Sequence, residues 1–252
     1  MRLLITFDHE PGLSLPINYR HLISSWMYHT MERSDSDFSA WLHERGYDHQ
    51  GRRYKLFTFG QLQPERFEQR GSSFILAQPP TRLVVSFMAD EMAQHLIMGM
   101  FQSDAVRLGS APLFLREARM LPAPAFADEL ELRLLTPLCL SRSNPHERYA
   151  EYLSPEAPDY GERLVRNLLA KYHAWQGLPA QENQAEGFDW RFELLTEPRS
   201  RLHSIRDVKV KGYTFNFSLK APPELLHIGY FAGFGEKNAA LGFGLAETIK
   251  SR

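Results

Sequence analysis

Residues 229–244 read Gly-Tyr-Phe-Ala-Gly-Phe-Gly-Glu-Lys-Asn-Ala-Ala-Leu-Gly-Phe-Gly and hold five glycines, three phenylalanines and one lysine. Glycine is the default residue where the backbone needs positive φ or where another group must approach it closely, and elsewhere it costs folding entropy. This density confines the stretch to a tight, irregular path. Pro222–Tyr230 before it reads as a short helix, since two prolines suit a helix's first turn. Gly244–Ile249 after it reads as a strand. Helix before and strand after reverses the order that a dinucleotide fingerprint needs, so Gly233-Phe-Gly235 is not one. Lys237, between Glu236 and Asn238, does not complete a phosphate-loop motif either. Two readings remain. One is a strained turn that returns a helix to a strand. The other is an anion-binding concavity of backbone N–H groups on Gly233, Gly235, Gly242 and Gly244, with Lys237 beside it. Phe231 and Phe234 could stack on bases or pack a core, and the area of an aromatic ring favours the core.

The rest of the chain narrows the ligand. Across 252 residues, 29 Lys and Arg stand against 30 Asp and Glu, so any basic surface has to be local. One such stretch lies just upstream of the glycines. Arg199, Arg201, Arg206, Lys209, Lys211 and Lys220 face only Asp207 between residues 199 and 220. Lys209 and Lys211 alternate with Val208 and Val210, which puts both on one strand face. The run is either a solvated face or a groove for a phosphate backbone, and the neighbouring glycine loop favours the groove. Cys139 is the single cysteine, which excludes an internal disulfide and a thiolate cluster. It sits in an apolar run and reads as a buried small hydrophobe. His43-x5-His49 with Glu44 and Asp48 matches no metal-ligand spacing, so neither a metal nor a cofactor is expected. No run is long and apolar enough for a membrane span, and the early charge of Met1–Asp8 argues against a signal peptide. The expectation is a soluble cytoplasmic protein.

Hydrophobic periodicity gives the order of elements. Met1–Phe7 reads as a strand. Tyr19–Met31 and Asp37–Arg45 follow as helices, the first with Leu22, Ile23, Trp26 and Met27 on one face. Ser34, Asp35 and Ser36 offer cap oxygens to the second, and Gly46 a stop. Arg52–Phe59 is a strand. Ser73–Gln78 and Arg82–Met88 read as two strands across a Pro79-Pro80 turn. Glu91–Phe101 is a helix, with Met92, Leu96 and Met100 at i, i+4 and i+8. Val106–Leu108 and Phe114–Met120 are strands. After Pro122 and Pro124 the order recurs, with a strand at Glu129–Leu140, a helix at Tyr160–Trp175, and strands at Trp190–Leu195 and Val208–Leu219. The short helix, the glycine loop and the last strand then close the chain. This is the split βαβ order twice over. The fold class is α+β, with two tandem ferredoxin-like (RRM-like) domains at 1–122 and 123–252 and a C-terminal glycine-rich loop.

Paired ferredoxin-like halves ending in this glycine motif resemble the repeat-associated mysterious proteins (RAMP superfamily) of CRISPR systems. Within that superfamily the chain is similar to the family numbered six among the Cas proteins, the endoribonuclease that cuts CRISPR precursor RNA within its repeats. The resemblance covers nearly the whole chain. It runs through Pro16-Ile-Asn-Tyr-Arg-His-Leu-Ile-Ser-Ser-Trp-Met-Tyr28, Trp41-Leu-His-Glu44 and Lys55-Leu-Phe-Thr-Phe59. The most specific match is Ile228-Gly-Tyr-Phe-Ala-Gly-Phe-Gly-Glu-Lys-Asn238 followed by Leu241-Gly-Phe-Gly244. Carried across residue by residue, the family's tyrosine, histidine and lysine fall on Tyr28, His43 and Lys55. Residues 44–54 are longer here than in compact members, which leaves Arg52 and Arg53 as substitutes for Lys55. His21, His29 and His49 are rivals of His43.

The resemblance implies metal-independent cleavage by the RNA's own 2′-hydroxyl, giving 2′,3′-cyclic phosphate and 5′-hydroxyl ends. DNA, lacking that hydroxyl, would be bound but not cut. His43 would act as general acid or general base. Tyr28 would orient or donate a hydrogen bond, and Lys55 would hold the non-bridging oxygens. The partner implied is CRISPR repeat RNA, with a multi-subunit effector complex as a further partner. A non-catalytic RNA-binding subunit with the same fold stays open, as does an unrelated enzyme that holds a nucleotide phosphate.

Overall fold

The computed structural model describes residues 1–142, 150–178, 187–205 and 208–249. The N-terminal half runs β1 (Arg2–Asp8), β2 (Leu13–Pro16), α1 (Arg20–Ser34), α2 (Ser36–Glu44), β3 (Tyr47–His49), β4 (Arg52–Tyr54), β5 (Phe57–Phe59), β6 (Gln63–Arg70), β7 (Ser73–Phe87), α3 (Asp90–Phe101), β8 (Val106–Leu108) and β9 (Ala111–Leu121). Helix α1 buries Ile23, Trp26, Met27 and Met31 along one side. Of the three candidate caps for α2, Asp35 does the capping, with its carboxylate accepting the Phe38 N–H at 2.8 Å. Helix α3 buries Met92, Leu96 and Met100 and packs on α1. Strands β9, β1, β7 and β5 are antiparallel neighbours in that order. This is the fourth-first-third-second order of a ferredoxin-like sheet.

Three expectations for this half change. The expected strand 52–59 is two strands parted at Lys55 and Leu56, where Leu56 takes a positive φ of 50°, and β4 pairs β3 while β5 pairs β7. Pro79 and Pro80 do not make a turn, because β7 runs through them as one strand of 15 residues. Its first part pairs β2 at residues 73–76 and its last part pairs β1 at residues 81–86, so the prolines fall at the handover. The register against β6 also shifts there, between Pro64 and Arg66. Proline lacks the N–H that a ladder needs, and such a bulge is where a sheet tolerates it. Strand β6, unforeseen because its residues are mostly exposed, forms the hairpin with β7.

The C-terminal half runs β10 (Glu129–Leu134), β11 (Ser141–Arg142), β12 (Glu151–Tyr152), α4 (Tyr160–Gln176), β13 (Arg191–Leu194), β14 (Arg199–Ile205), β15 (Val208–Thr214), β16 (Asn216–Lys220), α5 (Pro223–Ala232), α6 (Asn238–Leu241) and β17 (Ala246–Thr248). Strands β13, β16, β10 and β17 are antiparallel neighbours, which is the same order read from the other edge. The fold is therefore a tandem pair of ferredoxin-like units. The expected strand 129–140 stops at Leu134, and Leu138 keeps only a bridge to Tyr213. The expected strand 208–219 is two strands parted at the buried Phe215. Strand β15 leaves the sheet there to form a hairpin with β14. One contiguous apolar core holds both units, from Ile5 and Phe57 to Leu132 and Phe217. Among the described residues, no helix is long and apolar enough to cross a membrane.

Candidate functional site between the two units

The glycine segment is a buried joint. The N–H groups of Gly233, Gly242 and Gly244 go to the carbonyls of Gly229, Asn238 and Pro137, at 3.0, 2.7 and 2.8 Å. This corrects the expectation of an anion-binding concavity, since three of its four glycine donors are already used within the chain. Instead the carbonyls of Gly233 and Gly235, with Asn238 Oδ1, accept hydrogen bonds from Lys171 Nζ at 2.5, 2.7 and 2.8 Å. Lys171 is fully buried on α4, and burial pushes its ammonium down to about 7, with Glu236 opposing the shift. Glycine is obligatory at 244, where φ is +71° and a Cβ would lie 1.8 Å from Phe234 O. Phe231 and Phe234 are core residues, as favoured. Lys171 was missed by the sequence reading. The available signal was a lysine on the apolar side of α4, one turn beyond Leu164 and Leu168.

The joint locks onto the first unit. Arg20 Nη1 donates to Leu241 O at 3.0 Å, Ser24 Oγ to Ala239 O at 2.8 Å, and Thr58 Oγ1 to Phe243 O at 2.9 Å. Arg20, Ser24 and Tyr28 are spaced by four on α1 and so share a face. Two of them fasten the helix to the joint, and the third presents its phenol.

Tyr28 and His43 come together. Their rings meet edge to face with centroids 5.1 Å apart, and both line one open cavity. Tyr28 also packs on Phe57, and burial raises its phenol well above the ordinary range, so it stays a neutral donor. His43 is exposed in the last turn of α2. His29 lines the same cavity, held to Glu32 at 3.2 Å. The other rivals lie elsewhere, His21 on Asn18 O and His49 buried in β3 beside His173.

Lys55 reaches the back of the same helix end. Its Nζ donates to Leu42 O at 2.5 Å and to His43 O at 2.6 Å, and Arg53 caps Glu44 O at 2.7 Å. Burial, then the charge of Arg53, lowers the Lys55 ammonium. Lys55 therefore meets His43 through the main chain. Its side faces a second cleft of about 390 Å³ that also takes in Arg52, Arg53 and Lys237. The two cavities adjoin at α6. Ser24 lines the first and bonds Ala239, which lines the second.

The remaining basic residues divide. Lys209 and Lys211 share one face of β15, as expected, with Lys211 Nζ 5.2 Å from the Tyr213 ring centre. That face points away from the glycine joint. The opposite face, with Val210 and Gly212, packs on Leu241, Phe243 and Pro137. Arg201 pairs with Gly212 and so belongs to the inner face with His203, which is lowered to about 4 by burial and then by Arg20 and Arg201. Arg206 lies outside the described residues.

Twin ferredoxin-like units clasped by a C-terminal glycine joint, with a basic cleft at the seam, define a protein of the RAMP type. Two family models divide the chain between them. "CRISPR-associated protein Cas6, N-terminal" matches residues 14–119, and "CRISPR associated protein Cas6, C-terminal" matches residues 121–248. The chain belongs to the CRISPR-associated Cas6 family. It is 23% identical over 254 residues to CRISPR-associated endoribonuclease Cas6 1 of Methanocaldococcus jannaschii, covering 100% of this chain and 94% of that protein. Over 248 residues it is 24% identical to the CRISPR-associated endoribonuclease Cas6 of Pyrococcus furiosus, covering 97% and 88%. A solved structure of a Cas6-related protein from Pyrococcus furiosus has the same fold, with TM-score 0.82 at 19% identity over 100% of this chain and 99% of that one.

Proposed function

We propose that this protein is an endoribonuclease that cuts CRISPR precursor RNA within its repeats, without a metal ion, using Tyr28 and His43. The observation that carries the reading is the edge-to-face meeting of these two rings, in a cavity that adjoins a basic cleft at the seam of the units. The 2′-hydroxyl of the RNA attacks the adjacent phosphorus as the bond to the 5′ oxygen breaks. One proton leaves the 2′ oxygen and one reaches the 5′ oxygen, giving a 2′,3′-cyclic phosphate and a 5′-hydroxyl. His43 carries one of these transfers. Tyr28, neutral through burial, donates a hydrogen bond to a phosphate oxygen. Lys55 has three donors and uses two on α2, so one is left for the charge that develops on the phosphate. Arg201, Arg206, Lys209, Lys211 and Lys237 neutralise backbone phosphates. Gly233, Gly235, Gly242 and Gly244 serve RNA binding indirectly, by holding Lys237 and α6 in place. The working units are residues 1–122, which hold the chemistry, and 123–252, which hold the joint.

A single-turnover assay on a repeat RNA in excess chelator tests the reading. Cleavage with cyclic-phosphate ends is expected, and a 2′-deoxy substitution at the scissile nucleotide should abolish it. Binding without any cleavage would make the chain a non-catalytic RNA-binding subunit.

A further inference from the structure

A second basic recess lies across α1 from the Tyr28–His43 cavity. It encloses about 340 Å³ between α1 and β8, at the lower end of the range for small-ligand sites. Leu22 and Trp26 form its apolar side, and Gly109 contributes no side chain. Arg33 and Arg107 stand at its rim, and no carboxylate lines it. Among the described residues, neither arginine has an ion-pair partner, so both guanidiniums are free for a ligand, unlike those of Arg70, Arg116 and Arg133, which are held by carboxylates. Ser25 and His29 line both this recess and the Tyr28–His43 cavity, so the two are continuous over the helix. Arg33 follows Tyr28 by five residues, about 7.5 Å along the axis.

Seen from Tyr28 and His43, the cleft with Arg52, Arg53 and Lys237 lies on one side and this recess on the other. A strand cut between the two rings has a flank on each side of the scissile phosphate. We infer that Arg33 and Arg107 form a phosphate subsite for the RNA flank opposite to the one held in the cleft between the units. Two guanidiniums over an apolar floor suit a single-stranded nucleotide, because the fork pairs with phosphate oxygens while the floor accepts a base or sugar. His29, tied to Glu32, borders both sites, so the strand would pass over it on leaving the cavity.

This inference rests on the proposed cleavage reaction, and the test separates the two. Arg33→Ala/Arg107→Ala changes only exposed side chains, so the fold is retained. Affinity is measured for uncut repeat RNA, blocked by a 2′-deoxy scissile nucleotide, and for each of its two fragments. The double variant should bind uncut RNA about tenfold more weakly. The slope of log affinity against log salt should flatten by about 1.4, at roughly 0.7 per single-strand phosphate contact. One fragment should lose affinity with it and the other should not, while the single-turnover rate at saturating protein stays unchanged. Unchanged affinity and salt slope, or equal weakening of both fragments, would overturn the subsite. Absence of cleavage by the wild-type protein would overturn the reaction itself.

Discussion

The glycine joint and the Tyr28–His43 cavity sit at either end of one hydrogen-bonded path along α1, and they are built on opposite principles. In the joint, the N–H groups of Gly233, Phe234, Glu236, Gly242 and Gly244 are consumed internally, and a buried ammonium takes three oxygens. In the cavity, His43 is exposed and Tyr28 lines the opening beside it. Under the proposed reaction, the contrast is a division of labour. Precision is secured where polar groups can be fully satisfied and water excluded, and reactivity is placed on the nearest rigid helix, where it need not contribute to stability.

Substitutions at the two ends should therefore fail in different ways. His43→Ala should lower the single-turnover cleavage rate by about 10²–10⁴-fold, the usual range for an acid–base group, and leave RNA affinity and melting temperature unchanged. A comparable loss of stability would erase the contrast. Lys171→Met should do the reverse. It strands the Gly233 and Gly235 carbonyls and Asn238 Oδ1, so unfolding free energy should fall by about 3 kcal/mol, read by denaturant titration. Any loss of activity should follow the loss of folded protein. Tyr28→Phe should slow cleavage by about tenfold, the value of one hydrogen bond to developing charge, with little change in affinity.

The pH dependence of the joint is the most diagnostic. Burial holds Lys171 at about 7 in the folded protein, against 10.5 for an ordinary lysine. Between these values the unfolded chain binds a proton that the folded chain does not. Wild-type stability should therefore rise, relative to Lys171→Met, as pH increases from about 7 toward 10.5, by at most about 1.4 kcal/mol per unit. Melting curves of both proteins at pH 6.5 and pH 9 would show a gap that widens with pH. A constant gap would mean that the three oxygens keep the ammonium charged throughout.

Much of the architecture was legible in local patterns. Met92, Leu96 and Met100 announced a helix, and Leu130, Leu132 and Leu134 a strand. Their order was enough for two ferredoxin-like units. Tyr28 and His43 were reached through resemblance to a family, since nothing in the composition of α1 or α2 singles them out. The glycines were read correctly as a tight path, but their donors were assigned to a ligand. Lys209 and Lys211 were placed on one face, but that face points away from the joint, while Arg201 sits on the inner one.

What the chain determines by itself is whatever repeats over a few residues: period, caps, and the confinement that closely spaced glycines impose. What only the tertiary structure decided is where partners distant in sequence meet. Lys171 finds the carbonyls of residues 233 and 235, Arg20 finds Leu241, and Ser24 finds Ala239. A backbone carbonyl has the same chemistry at every residue, so no side-chain pattern can say which one a distant cation will reach. That choice is made when both units close over a single core, where leaving a buried polar group without a partner is costly.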